Sequence, residues 1–258
     1  MRPVFFLSDF GSEDPYAGIV RAVIHTRAPG APLFDLAHDL PPGDLRRAAY
    51  ALFEAAPYLP EGAVVLAVVD PGVGSRRRAV AVQTRRLFFV APDNGMLTLA
   101  LAQDPPLAAR ELPTPPGASR TFHGRDLFAP AAARLVKGVP FERLGPPLDP
   151  ARLTQLPLTL TEGPEGEILT FDRFGNAITT LKGPPPPGSA LLVQGRRLPC
   201  LTTFADVAPG EPLCYTGSAG LLEIAVREGS AREALGLKTG LPVRLEAPAS
   251  KPGRRSPG

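Results

Sequence analysis

Only two cysteines and three histidines occur among the 258 residues. Cys200 and Cys214 make no Cys-x-x-Cys pair, and His25, His38 and His123 are scattered, so neither a disulfide framework nor a zinc site of ordinary spacing is expected. The two thiols are expected to be buried. Long apolar runs are also missing. Val4–Leu7 is far shorter than a signal-peptide core, Asp9 follows close behind it, and no stretch approaches the ~20 apolar residues of a membrane span. The expectation is a cytoplasmic protein without a membrane partner. Charge of one sign is not in excess: 28 Lys and Arg face 25 Asp and Glu, for a formal +3, too little to attract a polyanion. The clusters Arg76–Arg78, Arg85-Arg86 and Arg254-Arg255 are short enough to be solvated faces or tails, so no nucleic-acid partner is expected.

What is present is a hydrophobic content of 44%, enough for a sizeable core. Short β-branched runs predict strands at Val4–Leu7, Leu33–Leu36, Val64–Val69, Ala79–Gln83 and Leu87–Ala91. Between them, Leu45, Ala48, Ala49, Leu52, Phe53 and Ala56 recur at helical spacing with Arg46, Arg47 and Glu54 opposite. Further helices are expected over Tyr16–His25 and from about Asp126 to Lys137, the last with Pro130 early and Gly138 just past its end. This alternation predicts an N-terminal α/β domain, a central sheet flanked by helices, over residues 1–156. The proline-rich stretch Gly138–Pro157 reads as a linker. Strands expected at Ile168–Asp172, Ala177–Leu181, Ala190–Val193 and Leu221–Val226 predict a smaller, β-rich, barrel-like C-terminal domain over 157–248, with 249–258 a disordered tail.

Acidic residues recur where predicted strands end: Asp9, Asp70 and Asp93. Ligands of α/β sheets bind beyond the carboxyl ends of strands, so such carboxylates can meet in one crevice, although each can instead cap a turn. In Asp70-Pro71-Gly72-Val73-Gly74-Ser75-Arg76-Arg77-Arg78 a glycine-rich turn can return an arginine to Asp70. It is not a phosphate-binding loop, lacking Gly-Lys-Ser/Thr. His25 reads as a surface residue near a helix end and His38 as structural or functional. His123 stands just before a helix, where backbone N–H groups favour an anion.

Together these segments carry a resemblance. Leu7-Ser8-Asp9-Phe10-Gly11 with Asp14 and Tyr16, His38-Asp39, Val68-Val69-Asp70-Pro71-Gly72-Val73-Gly74, Pro92-Asp93-Asn94-Gly95, Phe122-His123-Gly124-Arg125-Asp126 and Phe174-Gly175-Asn176 follow the order of the S-adenosylmethionine hydrolases. Those enzymes are similar to the fluorinating and chlorinating enzymes that displace methionine from the same substrate. The resemblance covers nearly the whole chain. It implies hydrolysis of S-adenosyl-L-methionine to adenosine and methionine by a homotrimer, with substrate between neighbouring subunits and no cofactor or metal. It places the attacking water beside Asp70, Arg77 and His123, the ribose on Asp9, and the methionine end near Asp14 and Asp172. Adenine would meet Phe174, Asn176 and Phe204, with further contacts from Tyr215, Ser218, Glu223 and Val226. The halogenating relatives lack this Asp/Arg/His set, which favours water over halide.

The residue types suit that chemistry. A sulfonium makes methionine a good leaving group, so the main task is to align an oxygen nucleophile behind C5′ and strip competing solvent. A fixed arginine favours hydroxide character on water, and Asp70 or His123 can take the proton; the sequence leaves open which. Three other readings compete: a halogenase of the same fold, a non-catalytic sensor of S-adenosylmethionine or adenosine, and a metal-dependent phosphohydrolase on Asp9, Asp39, Asp70 and Asp93. The last lacks an Asp-x-Asp signature after the first strand.

Overall fold

A computed structural model of the chain describes residues 1–248, and the tail expected at 249–258 lies outside them. Contacts divide the chain into a unit of Met1–Leu158 and a second from Thr159 onward. In the first, the elements are β1 (Val4–Ser8), α1 (Tyr16–Arg27), β2 (Leu33–Ala37), α2 (Leu45–Ala55), β3 (Val64–Val68), β4 (Ala79–Gln83), β5 (Phe88–Pro92), α3 (Thr98–Gln103), β6 (Ala108–Glu111), α4 (Ala129–Val136) and β7 (Pro147–Leu148). They form a seven-stranded sheet of order β2-β1-β3-β5-β4-β6-β7. Strands β2, β1, β3 and β5 run parallel, while β4 is antiparallel to both β5 and β6.

The period of two in β3 explains the layering. Val64, Leu66 and Val68 share a core with Val20 and Ile24 of α1 and Ala132 and Leu135 of α4. Val65 and Ala67 turn the other way, into a core with Ala48 and Leu52 of α2 and Ala100 of α3. A strand covered on both faces reads as a continuous apolar run, which is why Val64–Val69 was legible. Helix α2 starts where Asp44 accepts a hydrogen bond from Arg47 N at 2.9 Å, and it buries Ala48, Ala49, Leu52 and Phe53, the stripe its spacing predicted.

Two expectations are corrected. The helix expected from Asp126 starts at Gly124 as a π-helical turn, Gly124–Phe128, before α4 proper. Ala129 N closes that turn on the Gly124 carbonyl, and Pro130 falls in the first turn of α4, where a missing N–H is tolerated. The stretch Gly138–Pro157 is not a free linker: Phe141 and Leu144 are buried in one core and Leu148 and Leu153 in the other. Its anchors dock singly, without period.

The second unit consists of β8 (Glu165–Phe171), β9 (Ala177–Lys182), β10 (Ala190–Val193), β11 (Arg196–Pro199), β12 (Pro212–Thr216), β13 (Leu221–Val226), α5 (Ala231–Ala234) and β14 (Pro242–Glu246). Its seven-stranded sheet has the order β11-β10-β14-β8-β9-β13-β12. A bridge between Cys200 and Cys214 brings the first of these strands to the last, so the sheet nearly closes into a barrel around Ile168, Leu181, Leu191, Leu222 and Ile224. No helix among the described residues is long and apolar enough to cross a membrane.

Candidate active site

Parallel register puts the site at one edge of the first sheet. Ser8 at the end of β1 pairs with Val68 at the end of β3, so Asp9 and Asp70 leave adjacent strands at the same end. The loop from Asp70 turns through hydrogen bonds from Val73 N to the Asp70 carbonyl (3.2 Å) and from Ser75 N to the Gly72 carbonyl (3.0 Å). It then returns Arg77 onto Asp70: Arg77 Nε donates to Asp70 Oδ1 at 2.9 Å and to Oδ2 at 3.1 Å, and Nη2 donates to Oδ2. Only 6% of the Asp70 side chain and 11% of the Arg77 side chain are exposed, so this is a largely desolvated pair. Gly74, at φ +75°, is required here, because a Cβ would collide with the Arg120 carbonyl.

That contact brings up the segment bearing His123. His123 caps the π-helical turn and is 7% exposed, and its Nδ1 lies 2.8 Å from Arg77 Nη2. A guanidinium can only donate, so Nδ1 is the acceptor and the proton of the neutral ring sits on Nε2. Burial lowers the His123 pKa from its ordinary value, the Arg77 charge lowers it further, and Asp70 and Asp126 oppose them. Asp126 fastens the segment by accepting from Ser119 N at 2.8 Å. Its ion pair with Arg125 is the largest influence holding its own carboxyl below the usual range.

Aromatic packing joins the segments that carry Asp9 and His123. Phe10 meets Phe122 edge-on at 5.9 Å, Tyr16 meets Phe122 at 5.4 Å, and a Cβ on Gly124 would lie 3.1 Å from the Phe10 ring. Asp9 Oδ2 accepts from Gly43 N at 2.8 Å, and His38 clamps the loop on both sides through its carbonyl to Gly11 N (2.8 Å) and its Nδ1 to Ser8 Oγ (2.7 Å). Asp14 is exposed in the turn before α1. Asp93 joins a different arrangement: it pairs with Arg78 and accepts from Thr154 N at 2.8 Å, fixing the chain rather than facing Asp70.

Two residues outside the expected set support the site. Phe128, fully buried, lies with its ring 5.3 Å from the Arg77 guanidinium carbon, and Asn94 donates to the Val69 carbonyl at 2.8 Å. Asn94 carried a visible signal, its place in Pro92-Asp93-Asn94-Gly95 after a strand. Phe128 stands in no such motif.

In the second unit the expected residues fall into two groups. Asp172 accepts from Phe174 N, Asn176 N and Asn176 Nδ2 at 2.8–2.9 Å, a turn that buries Asn176 and leaves Phe174 75% exposed. Phe204 and Tyr215 pack with ring centroids 4.8 Å apart, and the Tyr215 hydroxyl donates to buried Glu223. Gly217 has no room for a Cβ beside the Glu223 carboxylate. Ser218 is exposed in the following turn, and Val226 is buried in the barrel core. Among the described residues no group of three or more His, Cys, Asp or Glu side chains is placed to hold a metal ion.

The chain matches the models of the SAM hydroxide adenosyltransferase N-terminal domain over residues 4–145 and C-terminal domain over 166–244. It is 63% identical to the (R)-S-adenosyl-L-methionine hydrolase of Thermus thermophilus, over 95% of this chain and 100% of that one. It is 41% identical to the enzyme of the same name from Salinispora tropica, over 95% and 97% of the two chains. A crystal structure of a conserved hypothetical protein from Thermus thermophilus superposes with a TM-score of 0.88 at 63% identity, covering 95% of this chain and all of that one. Family models spanning most of the chain, and relatives matched along their whole length, place it: this protein belongs to the SAM hydroxide adenosyltransferase family.

Proposed function

We propose that the protein hydrolyses S-adenosyl-L-methionine to adenosine and L-methionine. Water attacks C5′ in line with the sulfonium, the C5′–S bond breaks with its electron pair going to sulfur, and the water gives up a proton. The observation that carries this reading is the unbroken chain Asp70–Arg77–His123, two charged groups and a neutral imidazole held together with little solvent. Arg77 supplies fixed positive charge for the developing hydroxide. His123, with Nδ1 engaged by Arg77, offers Nε2–H and so orients the water by donating. Asp70 keeps lone pairs beyond those that Arg77 uses and takes the proton.

In the same proposal Asp9 accepts hydrogen bonds from the ribose hydroxyls and Asp14 attends the methionine ammonium. Asp172 has about four lone-pair sites, of which the turn uses three, leaving it able to help at the methionine end. The exposed ring of Phe174 stacks on adenine beside Asn176, and Phe204, Tyr215, Ser218 and Glu223 complete the adenine and methionine contacts, with Val226, its side chain in the barrel core, taking part only through its main chain. A homotrimer with substrate between neighbouring subunits, and a cytoplasmic location, belong to this reading; light scattering on the purified protein tests the first. The reaction is tested in ¹⁸O-water with mass spectrometry of the products. Adenosine labelled at its 5′ oxygen is the expected outcome. Tight adenosine binding with no product above the uncatalysed rate would instead identify a sensor.

A further inference from the structure

The barrel of the second unit is closed at one seam, and that seam holds both cysteines of the chain. Elsewhere neighbouring strands pair over several residues, as β12 and β13 do from Pro212↔Val226 to Thr216↔Leu222. Between β11 and β12 there is the Cys200↔Cys214 bridge, with Leu201 N donating to the Cys214 carbonyl at 2.7 Å. Bridged residues stand at the strand spacing of ~4.7–4.9 Å, inside the ~4.4–6.8 Å Cα separation that a disulfide spans. Residues paired across a bridge turn their side chains to the same face of the sheet, so the two thiols lie side by side.

We propose that Cys200 and Cys214 form a disulfide-forming pair, oxidised by exchange with small-molecule disulfides, which converts the barrel seam from a hydrogen-bonded junction into a covalent one. Cys200 is the entry point, because it is partly exposed whereas Cys214 is buried. The neighbouring Cys214 thiol lowers the Cys200 pKa, which favours the thiolate there, while its Cys200 neighbour and burial raise that of Cys214. The Cys200 thiolate attacks one sulfur of oxidised glutathione and expels a glutathione thiolate. Cys214 sulfur, giving up its proton, then attacks Cys200 sulfur and expels the second. The protein loses two hydrogens and one oxidised glutathione becomes two reduced ones. The loop so closed carries Phe204, and Cys214 directly precedes Tyr215. Thus the staple ties together covalently the two ends of a segment whose ends now meet through the Cys200↔Cys214 bridge.

The test is intact-mass and peptide-mass analysis of the full chain after incubation with excess oxidised glutathione, with free thiols titrated in parallel. The wild-type protein is expected to lose the mass of two hydrogens and both titratable thiols, to yield a peptide linked through Cys200 and Cys214, and to melt at a higher temperature; dithiothreitol reverses all of these. The Cys200→Ala protein is expected to stay thiol-bearing at Cys214, and Cys214→Ala to accumulate a stable glutathione adduct at Cys200. Wild-type protein that keeps both thiols, or that stops at a glutathione adduct while folded, overturns the proposal.

Discussion

Replacing Asp70 by Asn keeps the shape of the side chain and removes its charge, and the structure fixes two separate consequences. The first concerns stability. The pair is largely buried, and removing one partner of a buried ion pair costs ~3–5 kcal/mol because the other charge is left uncompensated. Arg77 retains an amide oxygen, His123 Nδ1 and some solvent, so the lower end, about 3 kcal/mol, is expected. For a domain of this size each kcal/mol moves the melting temperature by ~2–4 °C, so a drop of roughly 6–12 °C should be seen by scanning fluorimetry. The second concerns the reaction. An amide cannot take the proton of the attacking water, and a positioned base contributes ~10²–10⁴-fold, so kcat for adenosine release should fall by that factor while adenosine affinity holds. Chromatographic assay at saturating substrate, well below the melting temperature, separates the two effects. A folded Asp70→Asn protein whose kcat stays within about tenfold of wild type would refute the assignment of Asp70 as proton acceptor.

Gly74→Ala should cost at least ~1–2 kcal/mol from the left-handed backbone alone, plus the collision with the Arg120 carbonyl. Unchanged melting and activity would show that this contact does not hold the loop. Phe174→Ala should leave the melting temperature alone, since the ring is exposed, and should weaken adenosine binding by about 0.5–1.5 kcal/mol in calorimetry. Equal affinity would remove Phe174 from the adenine site. Neutral His123 is the form favoured by the fold, so protonation should abolish activity only below the ordinary histidine value of ~6.5. The unfolded chain takes up that proton first as pH falls, so the stability contributed by neutral His123 is lost from about 6.5 downward. An acid limb of kcat/KM from His123 at or above that value would contradict the neutral ring argued here. High chloride or fluoride should leave adenosine as the product, and a halogenated nucleoside would refute water as the nucleophile.

Both sheets were largely readable because buried strands such as Val64–Val68 are continuous apolar runs, and Leu221–Val226 is one broken only by Glu223. Strands β11 and β14 were not, since Arg196–Pro199 and Pro242–Glu246 mix proline and charge with few apolar residues, nor was β12, whose five residues Pro212–Thr216 open on proline and form no β-branched run. Helix α3, six residues long, is too short to display a period. In the site, strand-end and helix-start positions made Asp70 and His123 visible. The choice of Arg77 among three successive arginines was not a local matter: Arg78 is taken by Asp93, which comes from β5, and only the fold brings that carboxylate there. Likewise Gly74 is plain in the sequence, whereas its reason, a carbonyl at residue 120, is long-range.

Because β5 lies between β3 and β4 in the sheet, the Asp70–Arg77 loop has to arch over the end of β5. That strand end grips both feet of the arch: Asn94 holds the Val69 carbonyl, and Asp93 N donates to the Arg78 carbonyl at 2.9 Å while its side chain pairs with Arg78. Asp70 and Arg77 each stand one residue inside an anchored foot. Residues 71–76 form the span between fixed piers, with Gly74 the tight spot, so a side-chain change in the span acts on the two groups at its base only through the arch and not through its feet. The facing of Asp70 and Arg77 is therefore set by the end of β5 and not by the span itself.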